Sequence, residues 1–200
     1  MIFLTQFEQI EKIAGQHNGY VRTADVLASG ISKPVLAKFV KEYDYERVAH
    51  GIYLSPEAWP DEMYLLQLRC PNIVFSHDTA LYLLGMTVRD PLQFTVTVKS
   101  GYNATNLKKQ GLMVFSVKED LFKLGLAKAK TMFGNEIYIY NPERTICDMI
   151  RSRSKMEMQT YTDGLKEYVR RRDKNLLRLS RYAKIFHVES ILNRYLEVLL

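Results

Sequence analysis

The chain has 200 residues, 47% of them hydrophobic and 25% charged, with 28 Lys and Arg against 22 Asp and Glu for a net charge of +6. That length holds one large domain or two small ones with a sizeable core, and the composition excludes disordered, fibrous and disulfide-built classes. No run approaches the roughly 18 apolar residues of a membrane span, and no cleavable leader opens the chain, so the reading is a cytoplasmic protein with no membrane partner.

The segment from Phe3 to Gln16 reads as a helix, capped by Thr5 with Glu8 three residues on, its apolar face formed by Phe7, Ile10, Ile13 and Ala14. Gly19 suits the residue after the helix end, and Tyr20-Val21 a short strand. Ala24 to Leu27 is a short helix broken by Ser29-Gly30. Ser32 can cap the next helix and Pro34 fits its first turn, where a missing N–H is not needed. Leu36, Phe39, Val40 and Tyr43 then recur at i, i+3, i+4 and i+7, one apolar face. Lys33, Ala37 and Lys41 share the opposite face, with Lys38 beside them. Arg47-Val48 and Ile52 to Leu54 flank a turn with glycine, a short hairpin. Helix, tight turn, basic helix and hairpin outline a winged helix-turn-helix. Its second helix presents lysines around one small residue, so that ammonium groups reach phosphates while the backbone nears a groove. Arg47 and His50 belong to the wing.

Two prolines in SPEAWP, Ser55 to Pro60, mark a boundary, with Trp59 expected to pack between the halves. The expected domains are residues 1–58, the winged helix, and 61–200, an α+β domain with a helical C-terminal tail. In the second, Asp61 to Arg69 and His77 to Leu84 (capped by Ser76) read as helices. Ile73 to Phe75, Leu92 to Val98, Leu112 to Val117 and Ile137 to Tyr140 read as strands. A helix follows from Pro142 to Ile150, then helices over 161–172, 175–186 and 188–200. Cys70 and Cys147 stand apart in apolar contexts, as free thiols would in a reducing compartment.

Catalytic signatures are missing. The sequence holds no P-loop, GxGxxG, HExxH, zinc spacing, nucleophile elbow or Asp-x-Asp pair. No cofactor and no metal is expected, and the protein reads as non-enzymatic. His77-Asp78, in the first turn of a helix, suits capping and the helix dipole better than catalysis. Glu143-Arg144 reads as an internal ion pair, with the arginine holding a neighbouring loop. The charge excess lies at the C-terminal end: residues 1–60 hold 6 basic and 7 acidic side chains, 61–149 hold 10 and 9, and 150–200 hold 12 and 6. Arg170, Arg171, Lys174, Arg178, Arg181 and Lys184 form a second basic patch there, for nucleic acid or for an acidic protein. Lys174, Arg178 and Arg181 are expected on one helical face.

The blocks YVRTADV, RVAHGIYL, SHDTALYLLG and PERTICD together resemble the AbiEi-family antitoxins, and the resemblance runs over nearly the whole chain. It implies an antitoxin of a type IV toxin–antitoxin system giving abortive phage resistance. The partner would be a nucleotidyltransferase toxin, countered without a stable complex. The first domain would repress its own operon by binding inverted repeats in double-stranded promoter DNA. The matching positions for DNA are Arg22, Lys33, Lys38, Lys41, Arg47 and His50. The second domain would neutralise the toxin and support DNA binding, a role carried over to the basic tail only as a region. No apolar stripe is left for a dimer helix, so the expected state is a monomer in solution with two copies on DNA. One rival is a ligand-sensing winged-helix repressor with no antitoxin role. A second is an enzyme built around His77 and Asp78.

Overall fold

The structure, a computed structural model, describes residues 4–199. It divides into two compact units, residues through Arg69 with Thr131–Asn135, and Cys70–Lys130 with the chain from Glu136 onward.

The first unit begins with α1 (Gln6–Gln16). Thr5 caps it through the reciprocal bonds expected: its hydroxyl accepts from the Glu8 N–H at 3.2 Å, and the Glu8 carboxylate accepts from the Thr5 N–H at 2.6 Å. Phe3, the expected start, lies outside the described residues. Strand β1 (Tyr20–Arg22) follows, then α2 (Thr23–Ala28), α3 (Lys33–Glu42), and the strands β2 (Glu46–Ala49) and β3 (Ile52–Leu54). The sheet order is β1-β3-β2, all antiparallel, so the N-terminal strand closes on the wing. Ile10, Ala14, Val21, Val26, Ile31, Leu36 and Phe39 form its core. This is the winged helix-turn-helix that the apolar spacing predicts.

Helix α4 (Glu62–Arg69) completes the unit. Asp61, 2% exposed, accepts the Tyr64 N–H at 3.1 Å and so caps it. Its other oxygen accepts from Thr131 and Asn135 side chains. Trp59 is not packed between halves: it is 77% exposed.

The second unit holds a five-stranded mixed sheet of order β6-β5-β4-β8-β7. Its elements in chain order are β4 (Ile73–Phe75), α5 (His77–Leu83), β5 (Thr95–Lys99), α6 (Thr105–Lys109), β6 (Met113–Val117), α7 (Glu119–Phe122), β7 (Leu126–Lys130) and β8 (Glu136–Tyr140). Five helical elements follow: α8 (Pro142–Arg151), a 3-10 turn (Arg153–Lys155), α9 (Met158–Arg170), α10 (Leu176–Ile185) and α11 (Glu189–Leu199). The expected end at Leu200 lies outside the described residues. Strands β4 and β5 pair antiparallel, β4 and β8 parallel, β5 and β6 parallel, and β7 and β8 antiparallel.

Four elements were not expected from sequence: α6, α7, β7 and the 3-10 turn. Strand β7 reads LAKAK, poor in β-branched residues, and is held by five paired positions with β8 rather than by propensity. The Thr/Val alternation of β5 does not separate a wet face from a dry one, since Thr95 and Thr97 are as buried as Val96 and Val98. The Thr97 hydroxyl is satisfied inside, donating to Ser76 Oγ at 2.9 Å, and the Thr95 N–H donates to Thr79 Oγ1 at 2.8 Å.

Candidate nucleic-acid interface

Helix α3 sits where a recognition helix sits because of three local features. Gly30, at φ +85°, turns the chain after α2 in a backbone region that glycine enters without strain. Bonds from the Ser29, Gly30 and Ile31 N–H groups to Asp25, Leu27 and Val26 carbonyls fix that turn. Pro34 occupies the first turn of α3, as expected. Ser32 stands at the cap position, but its side chain makes no capping bond. Leu36 and Phe39 are buried, whereas Lys33, Ala37, Lys38 and Lys41 are exposed.

The wing reaches the same side. Its register shifts between Arg47 and Ala49, a bulge that bends and twists the strand. Gly51 takes φ +68° in the turn, and its carbonyl accepts the Thr23 N–H at 2.8 Å, tying the wing to the start of α2. Arg47 Nη2 lies 3.0 Å from His50 Nδ1. Arginine only donates, so the imidazole accepts at Nδ1 and keeps Nε2–H as a donor.

Between α2, α3, the wing and the end of α4 lies an open depression of about 770 Å3. Arg22, Lys33, Arg47 and His50 line it, together with Thr23, Ala37 and Gly51. Arg69, from the last turn of α4, lines it too, and sequence reading missed it. The signal was only a terminal helix cation, which a macrodipole explains as well. Lys38 and Lys41 are not in the depression. Lys38 Nζ stands 5.8 Å from the Phe7 ring centroid, a cation–π contact towards α1.

The cations differ in availability. Arg22 is clamped by Asp25 through two bonds of 2.6 Å, which raise its pKa further and neutralise its charge locally. No ion pair engages Lys33, Lys41, Arg47 or Arg69 among the described residues. A concave surface with unpaired cations and a hydrogen-bonding wing matches phosphate-backbone chemistry.

The C-terminal basic residues are mostly paired. Arg170 bonds Glu167 at 2.7 Å, Arg171 bonds Asp173 at 2.8 and 2.9 Å, Arg178 approaches Glu143 at 3.4 Å, and Lys184 approaches Glu189 at 3.5 Å. Lys174 is not on the helical face of Arg178 and Arg181. It lies in the turn before α10, its ammonium donating to the Arg171 carbonyl at 3.2 Å. Arg181 is exposed and has no ion pair among the described residues.

The His77-Asp78 pair does not form a dyad. His77 is 3% exposed and hydrogen-bonded to Ser76 Oγ at 3.0 Å and Ser152 Oγ at 3.1 Å. Burial, then Arg144, Arg151 and Lys155, lower its pKa to about 3, which makes it a poor base. Arg144 does hold a neighbouring loop, donating to the Leu121 and Leu124 carbonyls. Its partner, however, is Asp148, and Glu143 binds elsewhere.

No helix among the described residues is long and apolar enough to cross a membrane. Among curated proteins no relative matches. A solved structure, that of the RV2827C protein from Mycobacterium tuberculosis, matches with a TM-score of 0.56 and 13% identity over 91% of this chain and 72% of that one. At that identity the likeness is one of fold. The family model for the AbiEi antitoxin transcriptional regulators matches residues 8–56, the span of α1 through the wing. By that match, the winged-helix unit of this chain is similar to the AbiEi antitoxin transcriptional regulators.

Proposed function

We propose that the chain is a type IV antitoxin that represses its own operon and counteracts a nucleotidyltransferase toxin without a stable complex. The observation that carries the DNA half is the depression between α3 and the wing, where Lys33, Arg47, His50 and Arg69 converge without acidic partners other than Asp25, which Arg22 holds. Phosphates of a promoter duplex fit that surface, with α3 entering the major groove and the wing touching the adjacent backbone. Inverted repeats call for two copies on DNA, arriving as monomers.

Residues 1–58, joined by Arg69 of α4, act as the operator-binding part, and the rest of 61–200 as the antitoxin domain. The second rests on the resemblance carried by the sequence blocks SHDTALYLLG and PERTICD, since the family match spans only residues 8–56. The test is co-expression of the full chain, and of each variant below, with the toxin gene beside it, alongside binding of the upstream DNA by fluorescence anisotropy. Rescue of growth together with salt-dependent binding of the inverted repeats is the expected result. Binding without rescue leaves a repressor and removes the antitoxin role; rescue without binding removes the autorepression.

A further inference from the structure

The second unit contains a pocket that none of this uses. It has a volume of about 310 Å3 and is walled by His77 at the start of α5, Val114 to Val117 of β6, Asp148 and Arg151 of α8, and Ser152, Ser154 and Lys155 after it. That volume suits a small ligand. Two cations, Arg151 and Lys155, face it with no ion pair among the described residues. Three hydroxyls, on Ser116, Ser152 and Ser154, join them. The one anion, Asp148, already binds Arg144 at 2.9 Å.

The back wall is rigid. His77 adopts φ +48°, the left-handed region that few non-glycine residues enter, histidine more readily than most. Its ring stacks on Phe115 with centroids 3.8 Å apart, and its Nε2 fixes the Ser152 hydroxyl. A neutral imidazole held there neither repels nor attracts charge, so it positions Ser152 rather than activating it. We propose that this pocket binds the phosphate group of a small phosphomonoester. Arg151 and Lys155 supply the charge and the serine hydroxyls the directed bonds, the combination that tetrahedral oxyanions select.

The test is calorimetric titration of the full chain with inorganic phosphate and with adenosine 5′-monophosphate. At least one should bind saturably with a Kd below about 1 mM. The double substitution Arg151→Gln, Lys155→Gln should weaken binding at least about tenfold with its thermal midpoint unchanged, and Ser152→Ala, which also removes the partner of the buried His77 Nε2, about threefold. A tenfold preference for the nucleotide would identify the source as a nucleotide, whereas equal affinities would assign recognition to the phosphate alone. The pocket is not a phosphate site if neither probe binds, or if Arg181→Gln outside it weakens binding as much as the double substitution. Tighter binding of oligouridine than of the nucleotide, lost in the same double variant, would replace the small ligand by RNA.

Discussion

Arg144 and Asp148 lie one helical turn apart in α8 and form an ion pair of 2.9 Å with side chains 0% and 4% exposed. The guanidinium is further sandwiched between the Tyr140 and Phe186 rings, 4.0 and 4.3 Å from their centroids. Removing one partner leaves a charge that water cannot reach. Arg144→Met should therefore destabilise the protein by about 3–5 kcal/mol, measured by urea unfolding. Loss below about 1 kcal/mol would show that the pair and its two carbonyl contacts contribute little.

Glycine is required opposite that arginine. Gly125 takes φ +75°, and a Cβ there would lie 2.7 Å from Arg144 Cβ and 3.1 Å from its Cγ. Arg144 is fixed at its far end and cannot move aside. Gly125→Ala should lower stability by about 1–3 kcal/mol, whereas Gly101→Ala, at the same kind of φ but with open space, should lose less.

Acid stability should reveal two opposed titrations. His77, with its pKa lowered to about 3, is neutral in the fold and charges in the unfolded chain, so its contribution falls as pH drops from about 6.5 towards 3. Asp148, its pKa raised to about 6 chiefly by burial, takes up a proton in the fold before the unfolded chain does, so its contribution rises as pH falls from about 6 to 4. Relative to the parent, His77→Phe should gain in melting temperature between pH 6 and pH 4, and Asp148→Asn should lose. Parallel curves for all three proteins would contradict both assignments.

On the winged helix, Lys33→Ala, Arg47→Ala and Arg69→Ala should each weaken promoter binding and reduce the salt slope by about one. Lys41→Ala should weaken binding of any duplex equally, since it faces solvent outside the depression. Lys38→Ala should have the smallest effect because its ammonium leans over Phe7. Anisotropy over a salt series separates these outcomes, and a Lys38 effect equal to that of Lys33 would move the interface towards α1.

In the tail, charge reversal needs care over which arginine is chosen. Arg178 approaches Glu143, which is 2% exposed and also accepts from the Tyr168 hydroxyl and the Asn175 N–H. Arg178→Glu should lower the melting temperature, and Arg181→Glu should not. A loss of repression or of toxin rescue in Arg181→Glu alone therefore reports a surface role for the patch, and no loss in that variant marks a solvated surface.

The winged helix was legible because its determinants are local. The cap Thr5 with Glu8, the break at Gly30, Pro34 and the i, i+3, i+4, i+7 face act within a few residues of one another. The second unit was legible only in outline. Its sheet neighbours come from distant segments, and LAKAK becomes a strand only when β8 pairs with it.

By itself, then, the sequence determined the helix-turn-helix, the basic face of α3 and the net charge behind a polyanion partner. Tertiary structure alone decided which charges are free. It paired Arg22, Arg170, Arg171 and Arg178 with carboxylates, brought Arg69 to the wing, and gathered Arg151 and Lys155 around a buried His77. Periodicity assigns a side chain to a face, but the energy of a charge depends on what the fold places opposite it and on how much water it leaves there.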